Sequence, residues 1–172
     1  TNEELHSTNE ELQTSKEELQ SVNEELAAVN SELQVKVAEI LQNHNDIKTL
    51  FDNSDIGIIF LDTHLNIRRY TPLARKIIDM IPEDIGRSLA QFTHKLRYER
   101  LMDDIQSVAE QGKPVEHECA SLSGEWYLVR ITPYRTDGAS EGGIVITFSD
   151  ITKLRQADQA RHDSEVKFQE AF

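Results

Sequence analysis

The sequence predicts an α+β domain, a five-stranded antiparallel sheet with flanking helices, preceded by a long coiled-coil helix and followed by an outgoing helix. Three observations predict it. Large aliphatic residues recur at every seventh position through the first fifty residues. Residues 51–152 then read as two strands, a group of helices and three more strands. Residues 153–172 close on a helical pattern.

The first fifty residues are close to a repeated heptapeptide: TNEELHS, TNEELQT, SKEELQS, VNEELAA, VNSELQV. Leu5, Leu12, Leu19, Leu26, Leu33, Ile40 and Ile47 stand seven apart without a slip. An unbroken seven-residue period specifies a left-handed coiled coil, because the pattern of a solitary surface helix drifts against a heptad. No proline or glycine interrupts residues 1–56. At roughly 1.5 Å per residue the stretch from Leu5 to Ile47 spans about 63 Å. A polar helix of that length needs a partner to bury its leucines, so the chain is expected to form a homodimer through a parallel coiled coil. The second core position is mixed. Thr8, Ser15, Val22, Val29 and Lys36 follow the aliphatics by three residues, and Asn9, Lys16, Asn23, Asn30 and Val37 by four. Buried asparagine at such a position lowers stability while fixing register and favouring two strands.

The globular part opens with a hairpin: a strand over 56–62, a tight turn at Thr63 and His64, and a second strand over 65–70. Thr71 and Pro72 read as N-cap and first helical position of a helix over 73–81, which Pro82 ends. Residues 83–94 suggest short helices and turns. An amphipathic helix over 95–111 carries Leu96, Leu101, Ile105 and Val108 on one stripe and stops at Gly112 and Pro114. Three strands follow, over 115–122, 125–134 and 143–150, joined by turns at Ser123 and Gly124 and over 137–142. Ile144, Ile146 and Phe148 alternate with Val145 and Thr147, as a half-buried sheet requires.

The net charge is −13. Residues 1–50 hold eleven acids against three Lys or Arg, leaving a balance of −8 there and −5 over the remainder. Such a surface repels phosphate backbones and argues against a nucleic-acid partner. The longest apolar run, 56–61, is strand-sized and contains a glycine, far below the roughly 18 residues of a membrane span. A single cysteine, Cys119, excludes an internal disulfide framework and fits a reducing cytoplasm. The chain starts inside a repeat and stops inside a helical pattern, as a piece of a larger protein would.

The segment GEWYLVRITPYRTDGASEGGIVITFSDIT, residues 124–152, together with the element order over 48–155, resembles the PAS family of sensor domains. In that resemblance Asp150, Ile151 and Thr152 form the signal-transmitting junction to an output helix. The family commonly places asparagine before the proline of RRYTPLA, residues 68–74; Thr71 stands there instead, so capping survives without that asparagine. The heptad block over 1–35 resembles the linker of bacterial hybrids in which a chemotaxis-type methylesterase and protein-glutamate methyltransferase precede PAS domains. SEVKFQEAF, residues 164–172, resembles the leading helix of another PAS domain. The resemblance implies a two-component or chemotaxis-like parent that continues toward a histidine kinase or similar output, with catalysis outside this fragment.

Catalytic and cofactor patterns are otherwise thin. His94 sits near the place where haem PAS domains hold iron and reads as a loop histidine. His117 and Cys119 share one strand face, too few ligands for structural zinc. Cys119 lacks the Asn-Cys-Arg surroundings of a flavin photosensor, and Trp126 reads as packing rather than a flavin platform. His6 and His44 belong to the coil; His162 precedes Asp163, yet no kinase core follows. No cofactor or metal is therefore expected. Three functions remain: a mechanical relay between coiled-coil helices, a passive dimerisation scaffold, or a receptor for a small molecule or a cofactor such as haem or flavin. A receptor's pocket would be lined by Phe60, Ile67, Tyr70, Ile77, Leu101, Leu128, Ile146 and Phe148, with Arg130 as an anion anchor.

Overall fold

A computed structural model describes residues 1–138 and 142–170, and its contacts divide into two compact units, Thr1–Thr49 and Leu50–Phe172. Helix α1 runs from Asn2 to Asp52, with Glu3 and Glu4 in its first turn, where the helix dipole favours acids. No residue of α1 is buried. The heptad aliphatics are open to solvent, from 45 % exposed at Ile47 to 65 % at Ile40, because one copy of the chain offers them no partner helix. Side-chain bonds along α1 are local, such as Thr8 Oγ1 to the Glu4 carbonyl at 2.8 Å and His6 to Glu10 at 3.2 Å.

The second unit is built on a sheet of strands β1 (Ile56–Leu61), β2 (Ile67–Tyr70), β3 (Val115–Ala120), β4 (Trp126–Arg135) and β5 (Gly142–Asp150). They are antiparallel in the order β2-β1-β5-β4-β3, with β5 central. Alternation in the sequence assigns the two faces. Ile59 and Leu61, Val129 and Ile131, and Ile144, Ile146 and Phe148 point inward. Helices α2 (Ala74–Ile77) and α3 (Leu101–Gln111) cover that side with Ile77, Leu101, Ile105 and Val108. Helix α4 (Thr152–Glu170) follows β5. Residues 139–141 of the anticipated turn, and Ala171 and Phe172 of the closing motif, lie outside the described residues.

Four local expectations are corrected. Strand β2 starts at Ile67 rather than 65, because Leu65 takes φ 63° in a turn organised by Asp62, whose Oδ1 accepts the N–H groups of His64 (2.8 Å) and Asn66 (2.9 Å). Thr71 is no helix cap. Its hydroxyl accepts the Ile58 N–H at 2.8 Å and donates to the Ile56 carbonyl at 3.2 Å, stitching the chain to β1. The helix over 73–81 shrinks to α2, since Ile78 turns extended to bridge His94 and the Lys95 N–H takes the Ile77 carbonyl at 2.8 Å. Residues 95–100 are likewise not helical. Leu96 pairs with Ser121, and the Arg97 N–H reaches the Ala120 carbonyl at 2.8 Å, so sheet-edge bonding replaces the helix there.

Candidate functional site

The outgoing helix is tied to the sheet by backbone groups at the start of β4. Asp150 Oδ1 accepts the Thr152 N–H at 2.9 Å, an Asp-led turn into α4. Thr152 Oγ1 in turn accepts the Trp126 N–H at 2.9 Å, and the Ile151 N–H donates to the Trp126 carbonyl at 2.8 Å. Both polar groups of the Trp126 backbone are thus used by the two residues that open α4. Three junction residues named from sequence, Asp150, Ile151 and Thr152, therefore act as one hydrogen-bonded unit with a strand distant in the chain.

Arg155 adds a side-chain contact that spacing alone did not reveal. Its guanidinium lies 3.6 Å from the centroid of the Trp126 ring. Its Nη1 donates to Glu118 Oε2 on β3 at 2.9 Å. Beside it, the turn between β3 and β4 is closed by Glu125, whose carboxylate accepts the Ser121 and Ser123 hydroxyls at 2.5 Å each. Those hydroxyls hold the Glu125 carboxyl below its usual range.

At the other end of the second unit, an aromatic file crosses the outer face of the sheet. Phe51 meets Phe60 edge-on, and Phe60 meets Tyr134 edge-on, with 6.0 Å between ring centroids in each pair. The Tyr134 hydroxyl accepts from Arg68 Nη1 at 3.0 Å and donates to the Leu61 carbonyl at 3.4 Å. Tyr134 reaches β1 by lying over Gly143. A Cβ at Gly143 would collide with the Leu61 oxygen and come within 2.8 Å of the Tyr134 ring.

The residues named as a receptor pocket separate. Ile67, Ile77, Leu101, Ile146 and Phe148 meet in the core at 2 % exposure or less. Tyr70 is half-buried and packs against that core. Phe60, Leu128 and Arg130 face the other side of the sheet, where Arg130 pairs with Glu116 at 3.0 Å. Register explains the split: Leu128 and Arg130 share parity along β4, whereas inward residues are Tyr127, Val129 and Ile131.

The histidines do not converge. His94 lies on an extended segment before α3, and its Nδ1 accepts the Leu96 N–H at 3.3 Å. His117 stacks on Tyr98 with 4.2 Å between ring centroids. The buried Tyr98 hydroxyl donates to Asp104, and burial first, then Asp104, pushes its pKa well above the ordinary phenol value. Cys119 is buried, which raises its thiol pKa and disfavours the reactive thiolate. His162 is exposed on α4 and His44 on α1. Among the described residues no group of three or more His, Cys, Asp or Glu could hold a metal, and no helix is long and apolar enough to cross a membrane.

Residues 47–152 match the family described as PAS domain. An uncharacterized 104.1 kDa protein of Rhodobacter capsulatus, from the hypE 3' region, is 40 % identical over 122 residues. That match takes in 71 % of this chain and spans 13 % of the relative's length. Among solved structures, a C-terminal domain from Streptococcus mutans aligns with TM-score 0.50 at 16 % identity, covering 64 % of this chain and 87 % of that one. The PAS domain of histidine kinase ThkA gives TM-score 0.47 at 23 % identity over 55 % of this chain and 98 % of the other. A PAS domain of an HTR-like protein from Haloarcula marismortui gives 0.48 at 19 %, over 69 % and 99 %. At such identities the likeness concerns the fold.

Proposed function

The chain belongs to the PAS domain family, and from that premise we propose that it is a signal-relay module rather than a catalyst. In this reading two copies pair through parallel α1 helices, so that their PAS domains act as a pair. A change in the sheet shifts the packing of the paired α1 helices together with α4, and so passes between the coiled-coil helices to the adjacent domains of a cytoplasmic regulator of two-component or chemotaxis-like type. The parent would carry the chemistry, as a methylesterase and glutamate methyltransferase before this segment and a kinase-like output after it.

The observation that carries the reading is the bond from the Trp126 N–H to Thr152 Oγ1. Through it the first residue of α4 is held by β4 itself, so movement of that strand end must move the helix or break the bond. The open heptad stripe, with Leu5, Leu12, Leu19, Leu26 and Leu33 all more than half exposed, supplies the surface for pairing. A coiled coil with mixed second core positions suits a relay, since competing packings differ little in energy. The receptor alternative has less support, because Phe148, Ile146 and Ile59 are fully buried where a ligand would sit.

Disulfide crosslinking tests relay against scaffold. Leu19→Cys and Leu26→Cys chains should crosslink efficiently, Cys119 being buried. Adding Thr152→Val should alter the relative yields at the two positions while the domain stays folded. A folded Thr152→Val chain with the same yields removes the relay and leaves a passive scaffold. Failure to crosslink at either position removes the pairing.

A further inference from the structure

We propose that Arg155 is a positioning residue, a latch that clamps the first turn of α4 onto Trp126 and Glu118 and whose release frees the helix from the sheet. The inference deepens the relay reading and rests on it for its purpose, though the latch itself is a separate physical claim.

Ile151 and Thr152 are half-buried, but every described side chain beyond them on the helix is exposed. No apolar face of α4 is packed away, so its direction beyond the junction depends on polar contacts. Arg155 supplies two at once. Its planar guanidinium covers the Trp126 ring at 3.6 Å, while Nη1 binds Glu118 at 2.9 Å. Arginine suits both, because it is weakly hydrated, stacks on aromatic faces and keeps donors free at its edge.

The geometry also makes the contact releasable. The Arg155 and Glu118 side chains are 42 % and 55 % exposed, so water can replace each partner. The latch spans three elements: β3 through Glu118, β4 through Trp126 and α4 through Arg155. A slip of β3 against β4 would separate Glu118 from Trp126 and leave Arg155 unable to satisfy both. Sheet register is thereby converted into attachment or release of the helix.

Trp126 is the only tryptophan in the chain, so its fluorescence reports the surroundings of this one ring. In Arg155→Ala the emission should move to longer wavelength, and amide exchange over residues 153–158 should rise about five- to tenfold, the loss expected for one partly exposed cation–π pair. Arg155→Lys should recover part of both. Glu118→Gln should give a smaller shift of the same sign. Raising salt should move the wild-type emission toward that of Arg155→Ala and leave Arg155→Ala unmoved, since salt screens the ion pair. Emission and exchange unchanged in Arg155→Ala, or equal salt response in both chains, would overturn the latch. Crosslinking through Leu19→Cys in the Arg155→Ala background separates the two ideas. A shifted emission with unchanged crosslinking keeps the latch and defeats the relay.

Discussion

Thr152 Oγ1 accepts the backbone N–H of Trp126 at 2.9 Å, across 26 residues of sequence. A donor at the start of one strand is therefore satisfied by the first residue of the helix that leaves another. Removing the acceptor while keeping the shape isolates this bond. Thr152→Val should cost about 1–2 kcal/mol, because the half-buried Trp126 N–H loses its partner. Urea unfolding would read the cost, and hydrogen exchange should place it at the β4–α4 junction rather than across the sheet.

Gly143 is where the sheet admits the Tyr134 ring. Gly143→Ala drives a methyl group into the Leu61 carbonyl oxygen, a backbone atom held in the sheet, and against the Tyr134 ring. The expected destabilisation is about 2–3 kcal/mol, in the range of overpacking. Tyr134→Phe keeps the ring and removes only the hydroxyl contacts with Arg68 and Leu61, so its cost should be about 0.5–1.5 kcal/mol. Equal losses in the two variants would show that the ring's path over Gly143 is unimportant.

Stability should fall toward acid for stated reasons. Asp62 feels burial most strongly, which raises its pKa, yet the N–H groups of Asn66 and His64 outweigh it and the net shift is downward. Asp84 is lowered by the Ile81 N–H and Arg87, and Glu125 by its two serines. A depressed carboxyl stabilises the fold above its unfolded value, 3.8 for Asp and 4.5 for Glu, and that support is lost as pH drops through the folded value. Urea midpoints measured below these values should decline, and Asp62→Asn should flatten the decline.

The alkaline limb has the opposite origin. Tyr98 and Tyr127 are raised above 10.0, mainly by burial, so the fold favours their neutral forms. That preference is free of cost below the unfolded value and becomes a penalty as pH rises past it. Midpoints should therefore fall above pH 10, and Tyr98→Phe should reduce the slope. A slope unaffected by that change would assign the alkaline loss elsewhere.

Pairing through α1 predicts a concentration-dependent mass. Leu19→Ala together with Leu26→Ala should weaken self-association by about a thousandfold or more, since two leucines per chain at about 2 kcal/mol or more each amount to at least about 4 kcal/mol. Helicity should fall with it, since a polar helix without a partner is marginal. Sedimentation and circular dichroism on the same samples would show both changes, or neither if α1 stands alone.

Sequence was sufficient wherever a period reports local hydrogen bonding. The heptads of TNEEL and its repeats required a helix over residues 1–50, and the Ile144, Ile146, Phe148 alternation required a strand with one buried face. The resemblance of residues 124–152 to the PAS family singled out Asp150, Ile151 and Thr152 as the junction. Tertiary structure decided everything that depends on which strand lies beside which. Residues 78–81 and 95–100 carry helix-like patterns, but Ile78, Lys95, Leu96 and Arg97 bond to other segments instead of along a helix. Thr71 has the chemistry of a cap and serves β1 instead. Leu128 and Arg130 look like pocket residues until register turns them outward, and Arg155 meets Trp126 and Glu118 only because β3 and β4 pair as they do. The physical reason is one of range. Periodicity records bonds within a few residues, while contacts between distant segments are chosen by sheet register and core packing, which no local pattern contains.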